Sequence, residues 1–273
     1  MKNNKIYILT AVHNELEDTK RLLRSIYSQT YKNYDVCLID DGSTDGTSDF
    51  LQKNYPLVDV LKGNGSLWWT TCLNLGLNKI LKIANKEDFI WIINNDCYFD
   101  RSVLQNLLTY EERIGHGKYI VGSVIIDSKT KKIFDDGVGI DWERMKFKSG
   151  GTDALSTKGT LYPINVFKQI GIFDAKHFPH YFSDYEFSIR VKRNGYYLTV
   201  CRESKIFNRV KRTGIDKIPV KLSAMEAFKL LFSRKSKINL PLQINIIRYV
   251  CPKEFRIRNY WLLLTKLLDK LLG

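Results

Sequence analysis

The sequence predicts an α/β fold: an open central sheet flanked by helices, followed by a basic helical extension. Three observations predict it. Short apolar runs recur at residues 6–9, 36–39, 58–61 and 89–93. Segments with helical apolar spacing lie between them, which is the signature of strands alternating with helices. The chain has 273 residues and is 44% apolar, enough for one large domain that needs no staples.

The elements follow in order. Ile6, Tyr7, Ile8 and Leu9 form the first strand. Residues 17–28 carry Leu22, Leu23, Ile26 and Tyr27 at helical spacing. Val36, Cys37, Leu38 and Ile39 form a second strand, and residues 40–47 read as a loop, DDGSTDGT. A helix over about 48–54, a strand over 58–61, a helix over 73–84 and a strand over 89–93 complete this half. Ser102, Val103 and Leu104 open another helical pattern, which Asp100 could cap. Residues 119–126 and 132–134 read as strands, with turns at Gly137, Gly139, Gly150 and Gly151. Short helices are expected at 166–170 and at 183–194, the second closed by Gly195. From about residue 215 the chain turns basic and helical.

Charge is uneven along the chain. The formal net charge is +14, yet residues 202–273 hold 17 Lys and Arg against 5 Asp and Glu. Such asymmetry points to a polyanionic partner, although a solvated basic helical face has the same composition. The last stretch sets Trp261, Leu264, Leu267, Leu268, Leu271 and Leu272 on one side of a helix. That pattern suits a membrane interface, and equally packing on the domain or on a second copy as a homodimer. No apolar run approaches the roughly 18 residues of a spanning helix. Cys37, Cys72, Cys97, Cys201 and Cys251 form no metal-binding pair, and no secretory leader is read. Reduced thiols in a cytoplasmic setting are expected.

Three acid-bearing stretches could carry chemistry. Asp40 and Asp41 end the second strand, where ligands of open sheets bind. A carboxylate there can accept a hydrogen bond from a base or a ribose, and Gly42 lets backbone approach. A plain turn would have the same composition. Asn94, Asn95 and Asp96 follow the apolar fourth strand. One carboxylate plus substrate phosphates is a common way to hold a hard divalent ion, although a capped turn also fits. Asp184 and Glu186 sit at a helix start, whose dipole favours ionised acids. A carboxylate held there could act as a general base, or merely complement the helix.

In this order the three stretches resemble glycosyltransferase family 2. The DDGSTDGT loop, the acid triplet at 94–96 and the helix start at Ser183-Asp184 carry the resemblance. It extends over about residues 4–210 and includes an acceptor-side segment from Gly159 to Asp174. It implies a GT-A fold, with a Rossmann-like mixed central sheet, and an inverting sugar transfer. The implied donor is a nucleotide sugar, UDP- or dTDP-linked. Thr10, Ala11, Asn14, Asp40 and Asp41 would line the donor pocket, with Asn64 in a nearby loop. Asn94 and Asn95 would approach the ribose, and Asp96 would hold Mn²⁺ or Mg²⁺ on the diphosphate. Asp184 would be the catalytic base and Glu186 a second acid on the acceptor side. Trp68 and Trp69 could stack on a sugar or pack in the core. The sequence departs from the family at Asn94, an amide where the triplet has its first acid, at Ser183, where Glu is frequent, and at Asn208, where a metal-binding His is frequent. Asn208 can still offer an oxygen, and Arg202, Lys205, Arg209 and Lys211 could balance the leaving diphosphate.

The resulting expectation is a transferase domain over 1–215 and a basic amphipathic extension over 216–273. The extension would bring the enzyme to the inner face of the cell membrane, where the acceptor would be a lipid-linked glycan. A sugar-1-phosphate nucleotidyltransferase would need a Gly-rich basic N-terminal signature, which residues 9–16 lack. A catalytically degenerate assembly scaffold is the other alternative. A nucleic-acid partner would leave the acids unexplained, and no zinc-finger or RNP-like signature is present.

Overall fold

The computed structural model describes residues 4–115, 117–209, 230–233, 236 and 239–272. The N-terminal half alternates as expected: β1 Ile6–Val12, α1 Leu16–Tyr27, β2 Tyr34–Asp40, α2 Thr47–Asn54, β3 Asp59–Lys62, α3 Trp68–Ile83 and β4 Phe89–Ile92. Then come β5 Cys97–Phe99, α4 Val103–Ile114, β6 Tyr119–Asp127, β7 Ile133–Asp135, β8 Val138–Asp141 and β9 Lys146–Ser149. They are followed by β10 Thr160–Pro163, α5 Ile164–Ile170, α6 Ser183–Arg193 and β11 Tyr197–Asn208.

The main sheet runs β3-β2-β1-β4-β10-β6-β11-β5, with β7 paired to β6. It is mixed. β1, β2, β3 and β4 are parallel, as are β6 and β11, whereas β10 runs antiparallel between β4 and β6. Both faces are covered, so β1 is buried throughout and does not alternate with polar residues, Thr10 being its one polar side chain. Ile6 and Ile8 meet Leu22, Leu23, Ile26, Leu104 and Leu107 from α1 and α4. Tyr7 and Leu9 meet Leu73, Leu77 and Ile80 of α3 together with Phe167 and Phe187 of α5 and α6.

Some elements differ from the sequence reading. α3 starts at Trp68, ahead of the expected residue 73, because Thr70 and Cys72 already pack inward. Asp100 does not cap α4 with its side chain; its carbonyl accepts from Val103 N. Local sequence pattern does not mark β5, β8, β9, β10 and β11 as strands. In β11 a register shift between Cys201 and Lys205 breaks the period-2 pattern that would reveal a strand.

The expected start of the extension, near residue 215, lies outside the described residues. Its described part contains a short helix Leu240–Asn245, a π-helical turn Ile246–Val250 and a terminal helix Arg256–Leu272. Leu242, Ile246 and Val250 pack on Phe178, with Trp142, Met145 and Phe182 half-buried around them. Among the described residues no helix is long and apolar enough to cross a membrane. All five cysteines are buried thiols.

Candidate active site

The strand register brings the loops after β1, β2, β3 and β4 to one edge of the sheet. Val12 pairs with Asp40, Asp40 with Lys62, and Leu9 with Ile92. This edge holds most of the acids and amides singled out above.

The first two acids there brace loops. Asp40 is buried; its Oδ1 accepts from Ser43 N at 2.9 Å and its Oδ2 from the Ser48 hydroxyl. Asp41 Oδ1 accepts from Gly65 N at 2.8 Å and Oδ2 from Leu67 N at 3.0 Å. Asp41 therefore staples the loop after β3 to the end of β2. The two loops touch so closely that a Cβ at Gly63 would lie 2.4 Å from Asp41 Oδ1. Asn14, at φ 52°, accepts from Thr44 N at 2.7 Å and donates its own N–H to Ser43 Oγ. Asn64 Oδ1 accepts from Ser66 N and its hydroxyl. These four residues shape the rim of the edge by fixing its backbone.

Among the described residues two buried oxygens at this edge have no hydrogen-bond partner, Thr10 Oγ1 on β1 and Asn94 Oδ1 just after β4. Ala11, next to Thr10, is buried. Buried polar atoms are nearly always satisfied, so such orphans call for a ligand or solvent. Asn95 Nδ2 lies 3.4 Å from Glu15 Oε2.

Asp96 is half-buried two residues beyond Asn94, with its Oδ1 3.8 Å from Cys97 Sγ. Pairing of β11 with β5 sets Asn208 opposite Cys97. Asn208 is only 1% exposed and donates its Nδ2 hydrogen to Cys97 Sγ at 3.3 Å. Asn208 thus lies beside the Asp96 backbone, with its amide nitrogen already engaged. Among the described residues no three His, Cys, Asp or Glu side chains converge as a metal cluster. The oxygens that could serve a cation here are the Asp96 carboxylate, the orphaned Asn94 Oδ1 and the Asn208 Oδ1, whose amide nitrogen alone is engaged. All are hard oxygens, a set that suits a divalent ion completing its shell with phosphate and water.

Asp184 stands in the first turn of α6. The helix is anchored below by Phe187, stacked on Phe167 at 5.0 Å and against Phe173 at 4.6 Å. Burial pushes the Asp184 carboxyl up to about 6, and the charge of Asp135 on β7 adds to this. A hydrogen bond from Tyr185 N, 2.9 Å from Oδ1, and the charge of Lys158 act against the shift. The residue before α6, Phe182, has φ 69° and Trp68 before α3 has φ 63°. With Asn14, three of the five non-glycine residues at positive φ among the described ones adjoin candidate site residues. Such strained backbone concentrates at functional sites.

The structure places the remaining expected residues as follows. Glu186 accepts from Arg190 Nε at 2.7 Å and Nη2 at 2.9 Å, and Arg190 also donates to the carbonyls of Ile170 and Ile172. Glu186 therefore ties α6 to the segment after α5. Gly159 is a packing residue at φ 84°: its N donates to Ile92 O, its O accepts from Ser123, and a Cβ would lie 1.9 Å from Ile206 Cδ1. Trp69 donates its indole N–H to Thr157 Oγ1 at 3.2 Å and packs on the core, whereas Trp68 meets the His180 ring edge-on at 5.1 Å. Arg202 pairs with Asp136. Lys205 and Arg209 are exposed, and Lys211 lies outside the described residues.

Sequence reasoning missed Asp135, Lys158 and the aromatic hairpin β8–β9. Phe147 of that hairpin lies 5.1 Å from Phe182 and 5.9 Å from Tyr185, on either side of Asp184. Asp135 sits in an Asp-Asp-Gly turn, a local signal that reads as a turn and says nothing of its nearness to Asp184.

Comparison with known proteins bears on this arrangement. Residues 7–170 match the model of the family described as glycosyl transferase family 2. Glycosyltransferase GlyA of Streptococcus pneumoniae serotype 4 is 23% identical over 187 residues, covering 62% of this chain and 26% of that protein. The chain spans between 26% and 61% of the length of the curated relatives it matches. Among solved structures, mannosyltransferase PcManGT from Pyrobaculum calidifontis, in complex with GDP-Man and Mn²⁺, superposes with a TM-score of 0.59 at 15% identity. That match covers 95% of this chain and 72% of that one. GalNAc-T7 with UDP, GalNAc and Mn²⁺ gives 0.60 at 13% identity, covering 91% and 58%. These likenesses establish the GT-A fold expected above.

Proposed function

The chain belongs to glycosyl transferase family 2, and from that premise we propose that it moves a sugar from a nucleoside-diphosphate sugar to a hydroxyl of a glycan. The donor would be UDP- or dTDP-linked and the acceptor lipid-linked, with inversion at the anomeric carbon. Asp184 carries this reading. A half-buried carboxylate raised to about 6 is still mainly ionised at neutral pH, yet basic enough to take a proton.

The acceptor oxygen would attack the anomeric carbon while the bond from that carbon to the diphosphate breaks. The acceptor proton would pass to Asp184, and the nucleoside diphosphate would leave. A divalent ion, when bound, would offset charge on the leaving diphosphate. Asp96, Asn94 and Asn208 are the residues to hold it. Thr10 and Asn95 would meet the nucleoside, and Asp40, Asp41, Asn14 and Asn64 would keep its loops in shape. The Phe147, Phe182 and Tyr185 rings would exclude water around Asp184 and offer apolar faces to the acceptor sugar. The basic extension would hold the enzyme against the inner membrane surface, with the mixed-sheet domain in the cytoplasm.

The test is thermal stabilisation by UDP, dTDP, GDP and CMP, each with and without Mn²⁺, with Asp96→Ala as control. A ligand at 100 times its dissociation constant adds about 2.7 kcal/mol. Stabilisation by one nucleotide, dependent on Mn²⁺ and lost in Asp96→Ala, is expected. No shift with any of the four would favour the degenerate scaffold.

A further inference from the structure

The terminal helix Arg256–Leu272 has two unlike faces. Ile257, Tyr260, Trp261 and Leu264, at helical spacing, are all exposed: Ile257 by 87% and Trp261 by 66%. Residues three and four apart share one side of a helix, so these four form a continuous apolar stripe. Asn259 lies on the opposite side and is fully buried. Its Nδ2 donates to the Trp142 carbonyl at 2.9 Å and to Cys251 Sγ at 3.2 Å. The helix is therefore docked by its Asn259 side, and the apolar stripe faces outward by construction.

Charge indicates what covers the stripe. Arg256 and Arg258 flank it on its two sides, about 100° round the helix from its middle. Between residues 248 and 267 the chain carries Arg248, Lys253, Arg256, Arg258 and Lys266 against the single acid Glu254. An apolar stripe with Trp and Tyr, rimmed by Arg, is the composition of a helix lying in a lipid interface. The same rim would repel a second copy of itself, since like charges would face each other across the stripe.

The docked side leads to the candidate site. Trp142 belongs to the tip of the β8–β9 hairpin and meets Phe147, whose ring packs on Phe182 and Tyr185 beside Asp184. Arg193, at the end of α6, donates to the Val250 carbonyl at 2.6 Å, just before the helix. Helix, hairpin and α6 are thus joined by direct contacts.

We propose that the Ile257, Tyr260, Trp261 and Leu264 stripe is the docking face for an anionic lipid surface, and that Asn259 couples this face to the hairpin on the acceptor side. The coupling rests on the transferase reading; the docking does not. A chain seated on this stripe would meet a lipid-linked acceptor with its hairpin already held at the membrane side.

The experiment uses the full chain with vesicles of phosphatidylglycerol and, separately, of phosphatidylcholine. Co-sedimentation is measured for the wild type, for Ile257→Glu/Trp261→Glu and for Arg256→Gln/Arg258→Gln. All substituted side chains except Arg256 are exposed, and thermal melts check that each variant is folded. The expected result is binding to phosphatidylglycerol only, weakened at least tenfold by the Glu pair and made less salt-sensitive by the Gln pair. Unchanged binding of the Glu pair overturns the proposal, because charge elsewhere in the extension would then suffice. A wild-type dimer that becomes a monomer in the Glu pair, with no vesicle binding, assigns the stripe to a second copy and also overturns it. Vesicle binding without any donor turnover supports the docking face and counts against the transferase reading, so the two failures are distinct.

Discussion

Asp184 links the proposed chemistry to stability in a way that one substitution can test. Its carboxyl is raised from 3.8 to about 6, chiefly by burial. The folded state therefore holds this proton more tightly than the unfolded chain does between those pH values. Stability from this group is fully present below about pH 4 and is lost as pH rises through 6. At 1.36 kcal/mol per pKa unit, the ionised carboxylate costs the fold about 3 kcal/mol above pH 7. Asp184→Asn removes that cost while an amide oxygen can still accept from Tyr185 N. The variant should be more stable than the wild type at pH 8 by about 2–3 kcal/mol, a rise of several degrees in Tm. At pH 4 the difference should vanish. Sugar transfer should fall by at least a thousandfold, and the wild-type kcat/KM should decline below an apparent pKa near 6. Parallel melts at pH 4, 6 and 8, read beside an initial-rate pH profile, settle it. A Tm difference independent of pH, or substantial turnover by Asp184→Asn, would refute the reasoning.

Two further outcomes follow from the packing. Gly159→Ala should cost about 3 kcal/mol in urea unfolding, from a left-handed φ together with overlap on Ile206. Adding Ile206→Val should restore about 1 kcal/mol by removing the overlapping methyl, and a cost insensitive to Ile206 would contradict the packing account. Glu186→Gln should lower stability by about 1 kcal/mol through loss of its fork with Arg190, and leave the acceptor KM unchanged. A raised acceptor KM with unchanged stability would return Glu186 to the acceptor site.

Much of this protein was legible from local pattern. Alternating apolar runs and helical spacings announced the open sheet, because each strand buried on both faces must be continuously apolar. The order of the DDGSTDGT loop, the Asn94-Asn95-Asp96 triplet and the Ser183-Asp184 helix start announced the family. What no local pattern carries is the partner of each side chain. Asp41 reads as a ligand acid until the loop after β3 returns and fills both its oxygens with Gly65 and Leu67. Glu186 reads as a twin of Asp184 until Arg190 claims it. Asn208 reads as an amide of either orientation until β11 is paired with β5 and its nitrogen is held by Cys97, leaving the oxygen as the group it can still offer.

The sequence by itself determined where the strands and helices alternate, which loops bear acids, and where basic charge accumulates. These depend on composition and periodicity over a few residues. Only the tertiary structure decided which acids remain available and which face of the terminal helix is bare. Burial and hydrogen-bond partners are set by segments far apart in the chain. Asp135 from β7 acts on Asp184 of α6, and Trp142 takes the hydrogen bond of Asn259.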